Sequence, residues 1–580
     1  MLRIPAPETH YIEVQATYPT SRKPAIELMM PVWTPGSYLV REFARHVEEV
    51  RARDPAGHAL HVGKSRKNRW RVETDGAGAV VLTYRVYAHE RQARTNWVED
   101  SFALINGAPT YITLVERVRR PHEVALEFPA SWSKSLTSLP GAADGRPHHY
   151  RAPDFDTLVD SPILAGNPAV YEFTVDQVPH ALVNFGEAGV WDGARSARDV
   201  ERIVRAAREL WGFLPYQRYL FFNLLTEESD GIEHKGSTVL FTSRWSTRTD
   251  SAYHDWLTLV AHEFFHAWNV KRLRPVELGP FDYENEVYTR SLWIAEGLSD
   301  YYSWLLPCRA GLASREQTLA DISAAIGLLQ TTPGRLVQPL EQASYDAWIK
   351  QYRRDENSAN ASVSYYTKGS IVGLLLDARL RRLTKGARGL DDVMRAAYRR
   401  FSGRGYTPAD FRAVANEVGG ADLGDFFHRT LETTGELDYT EMLDWYGLRF
   451  SPPAPDAREK AWLGVLTRVD DGRLLVSGLL RGTPAYGSGL ATDDELIAID
   501  AFRLDGDGLD ARIEQYKPGA KVELLVSRRG ELRRVGLTLG SAPTDRWLLS
   551  VRPDATPEQQ QRLTAWMGPV APGAPTGARR

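Results

Sequence analysis

A glutamate set between two histidines is the feature that most limits what this chain can be. Residues 261–269 read AHEFFHAWN, with His262 and His266 four positions apart and Glu263 directly after the first. A helix brings positions i and i+4 onto one face. Both imidazoles can then point at one metal ion, and neutral imidazole is a good zinc ligand. Glu263 lies ~100° around the helix from His262, where it can reach a water at the metal without becoming a ligand. A bare histidine pair on a helix is more often solvated or bonded to backbone. The full five-residue pattern is rarer, and it favours a zinc clamp with its base.

Catalytic zinc needs a third protein ligand and one open position. No third histidine follows closely after His266. The next apolar segment, LWIAEGLSDYYSWLL (residues 292–306), offers Glu296, with Asp300 four positions on. In an α-helix these acids share a face. Glu296 would complete the metal shell, and Asp300 would accept the free ring N–H of a ligating histidine. Two acids in an aromatic-rich helix call for an explanation; the opposing reading is an exposed acidic face. Glu284 and Glu286 are rival ligands in GPFDYENEVY (279–288), ranked lower because that segment reads as loop. Tyr365 and Tyr366 stand just ahead of a strong helical pattern in SVSYYTKGSIVGLLLDARL (362–380). A tyrosine hydroxyl near zinc can stabilise an oxyanion, although a tyrosine pair by itself is more often packing.

The 580 residues are too many for one core, and two to four domains are expected. The chain is 43% apolar and 25% charged, ordinary for a globular protein. A net charge of -3 gives no electrostatic case for nucleic acid or an anionic membrane as partner. The single cysteine, Cys308, excludes an internal disulfide and any cysteine-rich metal site. The segment MLRIPAPETHYIEVQ lacks a signal-like apolar core. No run approaches the ~20 apolar residues of a membrane span. A soluble cytoplasmic protein is the expectation.

Residues 1–175 read as a β-rich domain, from near-alternating stretches such as HYIEVQATYP and AVVLTYRVYAHE. Within it sits WTPGSYLVREFARHV (33–47), a Pro-Gly turn followed by aromatic and charged residues. Residues 176–450 turn mainly helical. SARDVERIVRAARELWGFL (196–214) predicts an amphipathic helix starting at Ser196, with Asp199 completing a capping box. YLFFNLL (219–225) and STVLF (237–241) predict buried strands. SPPAPDAREK (451–460) is the linker candidate, 461–545 a small β-rich domain, and 546–580 a tail whose Pro/Gly-rich end, GPVAPGAPTGARR, predicts disorder.

HEFFH followed by AEGLSDYY resembles a gluzincin: HExxH with a downstream glutamate ligand in an ExxxD setting. YYTKGS resembles the YxKG motif of aminopeptidases in that clan, which aligns Tyr366 with the tyrosine that contacts the transition state. DGIEHKGSTVL (230–240) resembles their GxMEN substrate strand, with Ile232 for Met and His234 for Asn. That likeness assigns Glu233, preceded by Gly231, to the substrate's free α-amino group. The C-terminal RGTPAYGSGLATDDELIAID (481–500) resembles PDZ modules, with WLGV (462–465) as the carboxylate-binding loop. Together these features are similar to the glycyl aminopeptidase family of zinc metallopeptidases.

The resemblance implies a multidomain α+β chain: a β-sandwich-like N-terminal domain, a thermolysin-like, mostly helical catalytic domain and a PDZ-like domain. It implies one Zn²⁺ per chain on His262, His266 and Glu296, Glu263 as base, and removal of N-terminal residues with a preference for Gly and Ala. Its partners would be peptides with a free N-terminus and, at the PDZ-like domain, a peptide C-terminus. Two other readings share these residues: an endopeptidase with the same zinc site, and an inactive scaffold binding peptides through the PDZ-like domain.

Overall fold

Strand formation at the N-terminus follows from strict alternation. In Ala79–Tyr87 the residues Val80, Leu82, Tyr84 and Val86 are buried while their neighbours are half-exposed. This strand pairs antiparallel with Tyr11–Pro19 along its whole length, from Tyr11↔Tyr87 to Pro19↔Ala79. A computed structural model of the chain describes all residues except 117–118, 452–458, 505, 507, 544–546 and 569–580. Most of the expected linker and the expected disordered terminus thus lie outside the described residues. No described helix is long and apolar enough to cross a membrane.

The chain forms two units. The first comprises Met1–Tyr288, Leu305–Leu312 and Met394–Thr407. It begins with a seven-stranded sheet and two four-stranded sheets, formed within residues 2–166. One apolar core, including Ile12, Leu28, Val72, Leu82 and Ile105, runs between them. A five-stranded mixed sheet follows, in the order Ala169–Val175, Val178–Phe185, Tyr219–Thr226, Ser237–Ser243, Asp230–Glu233. Its central strand, Tyr219–Thr226, is apolar nearly throughout because both faces are covered. Leu220, Phe222 and Leu224 meet Trp97, Phe102 and Leu164 of an N-terminal sheet. On the other face Tyr219 and Phe221 pack on Phe264, with ring centroids 5.1 and 5.3 Å apart.

The helix predicted from Ser196 starts earlier, at Gly193, and runs to Trp211. Asp192 caps it, its carboxylate accepting from the Arg195 amide at 2.9 Å. Ser196 lies inside the first turn and donates back to the Asp192 carbonyl at 2.7 Å, while Asp199 accepts from the Tyr253 hydroxyl. An aspartate at the boundary satisfies the same free amides, so the capping box never forms.

The second unit comprises Thr289–Trp304, Ala313–Val393 and Pro408–Arg580. Its helices include Arg315–Thr331, Thr367–Leu383, Pro408–Gly419 and Thr440–Tyr446. Strands Val465–Asp470, Arg473–Leu479, Glu495–Ile499, Lys521–Arg528 and Glu531–Thr538 make a small sheet in that order, with its own core of Leu474, Val476, Ile499, Leu524 and Val526. After it, where a tail is expected, Leu549–Val551 pairs with Leu448–Phe450 and Pro557–Met567 forms a helix. Trp566 explains the difference: it is fully buried, stacks on Tyr446 at 4.3 Å and donates to the Tyr301 hydroxyl at 2.8 Å.

Candidate active site

The HEFFH segment ends a helix, Asp250–Phe265, capped by Thr249. Its two phenylalanines anchor it. Phe264 packs on the central strand, and Phe265 packs on Trp211 of the preceding helix at 5.4 Å. His266 stands just past the last helical residue. Its Nδ1–H donates to the Asn269 carbonyl at 3.0 Å. A carbonyl accepts only, so the proton is fixed on Nδ1 and the lone pair on Nε2. That Nε2 lies 2.9 Å from His262 Nε2. Two imidazole nitrogens thus converge on one point, with one of them held in the tautomer a metal requires. This donor set fits Zn²⁺.

Two carboxylates stand beside this pair in the first unit. Glu263 and Glu233 are 6% and 3% exposed, and each offers an oxygen within 4.8 Å of the other and of a ring nitrogen of His266. Glycines make room for both. A Cβ on Gly231 would come within 2.3 Å of Glu263 Oε1, and a Cβ on Gly36 within 2.5 Å of Glu233 Oε2. Gly231 and Glu233 belong to the edge strand Asp230–Glu233, paired only on its Ser237–Ser243 side among the described strands. Its start is fixed by Asp230, which accepts from the Ala93 amide at 2.9 Å and pairs with Arg94; Arg94 also donates to the Gly231 carbonyl at 3.0 Å.

Behind Glu233 lies a buried charge cluster. Lys271 Nζ sits 2.6 Å from Asp160. The Lys235 amide donates to Asp160 at 2.8 Å, and His234 Nδ1 is 3.5 Å away. Burial pushes the Asp160 carboxyl up, but Lys271 and His234 outweigh it and hold the group well below the usual carboxylate range. Burial lowers the Lys271 ammonium, yet Asp160 and Glu233 raise it above its ordinary value. The sequence reading missed Gly36, Asp160 and Lys271. Only the Pro-Gly of the 33–47 segment hinted at the first.

In the second unit Glu296 is 2% exposed and lies in a wide π-helical turn, Trp293–Gly297, continued by the α-helix Leu298–Arg309. Single π turns recur at functional sites. Asp300 is half-buried. Gly297 abuts Gly369: a Cβ on Gly297 would lie 2.6 Å from the Gly369 Cα. The glycine of the YTKG motif therefore lets the helix Thr367–Leu383 touch the Glu296 turn backbone to backbone. Tyr366, at the N-cap of that helix, shares a 3.2 Å hydroxyl contact with Tyr352 and stacks on Tyr365 at 4.7 Å. Burial, then the Glu296 charge, pushes its hydroxyl pKa well above the ordinary value.

Glu284, a rival ligand by sequence, is committed elsewhere. It accepts from Asn68 at 3.0 Å and from Arg69 Nε at 2.7 Å, tying its loop to the N-terminal sheet. Glu286 belongs to neither group of potential metal-ligating side chains found among the described residues.

The family model described as the Peptidase M61 N-terminal domain matches residues 1–167, and that of M61 glycyl aminopeptidase matches residues 255–372. The chain carries M61 peptidase domains. The second match contains His262, Glu263, His266, Glu296 and Tyr366. A crystal structure of an aminopeptidase N family protein from Idiomarina loihiensis is 28% identical, with a TM-score of 0.91 over 98% of this chain and 99% of that one. The fold described above is thus shared from end to end with that protein. An M1 zinc metallopeptidase from Deinococcus radiodurans is 15% identical, with a TM-score of 0.46 over 75% of this chain and 93% of that one. No curated protein gives a significant match. The M61 domains support peptidase, hence hydrolase, activity on peptide substrates.

Proposed function

We propose that this M61 chain is a zinc-dependent aminopeptidase that removes N-terminal residues from peptides, with preference for Gly and Ala. The observation that carries the metal is His266, whose Nδ1–H is spent on Asn269 while Nε2 faces His262 Nε2 at 2.9 Å. His262, His266 and Glu296 would hold one Zn²⁺, with Asp300 supporting a ligand. Zinc, when bound, supplies Lewis acidity, polarising a carbonyl and lowering the pKa of water. Glu263 takes the proton of the attacking water on a carboxylate oxygen and returns it to the leaving nitrogen. The Tyr366 hydroxyl, whose raised pKa keeps it protonated, donates to the oxyanion.

Glu233 supports the aminopeptidase reading. Its buried Oε1 has no hydrogen-bond partner among the described residues, and a carboxylate oxygen left bare suits an ammonium. The edge strand beside it can accept a peptide backbone by β-augmentation. The small C-terminal sheet is read as PDZ-like, with its exposed edge strand Val465–Asp470 beside the WLGV segment taking a peptide C-terminus.

The test is zinc stoichiometry measured beside hydrolysis of Gly-, Ala- and Leu-anilides with free and acetylated N-termini. One zinc per chain and cleavage of free amines only is the expected result. Zinc with equal cleavage of blocked substrates would point to an endopeptidase. No zinc, and no activity on adding it, would reject the reading.

A further inference from the structure

Glu233 is roofed by a turn from the N-terminal domain, residues 33–38 of sequence WTPGSY. Gly36 adopts φ +101°, a conformation suited to glycine, and a Cβ there would meet both Glu233 oxygens, at 2.5 and 2.6 Å. The turn is fixed on every side. Ser37 N–H donates to the Thr34 carbonyl at 3.1 Å. Arg41 donates to the Ser37 hydroxyl at 2.9 Å. The Trp33 indole donates to the Asp282 carbonyl at 2.6 Å, and Val32 N–H to the Tyr283 carbonyl at 2.8 Å. Trp33 and Tyr38 are buried to 0% and 1% exposure. These bonds hold the turn against the Glu233 carboxylate.

The space it leaves is small. Trp33, Gly36, Tyr38, Glu233, Lys271 and Arg274 are among the residues around a cavity of about 10 Å³, room for one water-sized group. The Lys271 ammonium pairs with Asp160 at 2.6 Å, and the Glu233 charge also raises its pKa. The unmet acceptor on Glu233 is left for a ligand, with Gly36 directly against the carboxylate.

We propose that Gly36 is a specificity-determining residue: the turn over Glu233 restricts the group bound there to an unsubstituted primary ammonium and rejects N-alkylated N-termini. The inference rests on the reading of Glu233 as the amine anchor, and it adds that an element of the N-terminal domain sets the selectivity.

The experiment compares glycine, N-methylglycine and N-acetylglycine anilides on the zinc-loaded full chain, then repeats the first two on Glu233→Asp. For the unaltered protein we expect kcat/KM about 100-fold lower for N-methylglycine than for glycine, within the ~10–200-fold that one misfitting carbon is worth. Glu233→Asp withdraws the carboxylate by one methylene from the roof. It should lower activity on glycine yet shrink the glycine-to-N-methylglycine ratio at least about 10-fold. Gly36→Ala should raise KM for glycine. Should it fail to fold, the Glu233→Asp ratio still decides. N-methylglycine cleaved as well as glycine, with N-acetylglycine refused, would overturn the roof and leave the amine anchor standing. A ratio unmoved by Glu233→Asp would also overturn the roof. N-acetylglycine cleaved as well as glycine, or no substrate cleaved, would remove the anchor reading and the roof with it.

Discussion

Glu263 and Glu233 in the first unit and Glu296 in the second are all buried acids, yet they are held by different means. The first two rest in clearances left by Gly231 and Gly36: Glu263 on a helix, and Glu233 on a strand pinned by the Asp230–Arg94 pair and backed by Asp160 and Lys271. Glu296 depends on backbone shape: a π turn and the Gly297–Gly369 contact, among apolar and aromatic neighbours. Charge balance places the acids of one region, and close packing places the acid of the other. Substitutions in the first region should therefore disturb protons and ions, and those in the second should disturb geometry.

The largest effect expected in the first region is on turnover. Glu263→Gln keeps the shape and the Gly231 clearance but loses the proton acceptor. It should lower kcat by ~10²–10⁴ with metal content unchanged, measured by steady-state kinetics beside metal analysis. Near-normal turnover would break the assignment of the base. Next in size, Asp160→Asn leaves Lys271 buried without its anion and should cost about 3–5 kcal/mol of stability. The folded Asp160 carboxyl is held below its ordinary 3.8. Its stabilisation is thus fully present above that pH and lost as pH falls through the lower folded value. Denaturant unfolding of both proteins across this range should show the gap narrowing on the acid side. A gap that persists once the pH has fallen below the folded value would mean the charge is not what Asp160 contributes.

How far the sequence reveals this division depends on where each signal lies. The histidine pair, its glutamate and the two buried strands are local patterns, and all are legible in the letters. So is the glycine in YTKG, although not its partner Gly297, since a backbone contact between distant helices leaves no periodicity. Asp160, Lys271 and Gly36 are far apart in sequence and unremarkable one by one. Only the fold brings them behind or above Glu233. The cap at Asp192 was misplaced because Ser196 fits the same local rule. Trp566 was lost in a segment whose neighbours are Pro- and Gly-rich.

In the second region, Tyr366→Phe removes a hydroxyl and leaves the stacking on Tyr365. It should lower kcat by ~10²–10³ with little change in KM, the usual cost of one oxyanion donor. Tyr365→Phe, at a fully buried ring, is the control. Equal losses for the two would show a packing effect and erase the distinction.

The smallest effect probes the contrast most directly, because Lys368 is a charge inside the region held by packing. It is 2% exposed, and desolvation lowers its pKa from 10.5 to about 8. That fall of about 2.5 units corresponds to about 3 kcal/mol at ~1.4 kcal/mol per unit. The sign follows from proton counts. Between pH 8 and 10.5 the unfolded lysine holds a proton that the folded one has lost, so raising the pH through this window favours folding. Below it the folded chain carries the full cost of a buried ammonium, and above it none. Lys368→Met should therefore be more stable than the parent by about 3 kcal/mol at pH 7, with the difference vanishing above pH 10.5, read from paired urea unfolding curves. A variant less stable at pH 7 would mean that Lys368 is held by an ionic partnership like that of Lys271, and the two regions would then share one mode of construction.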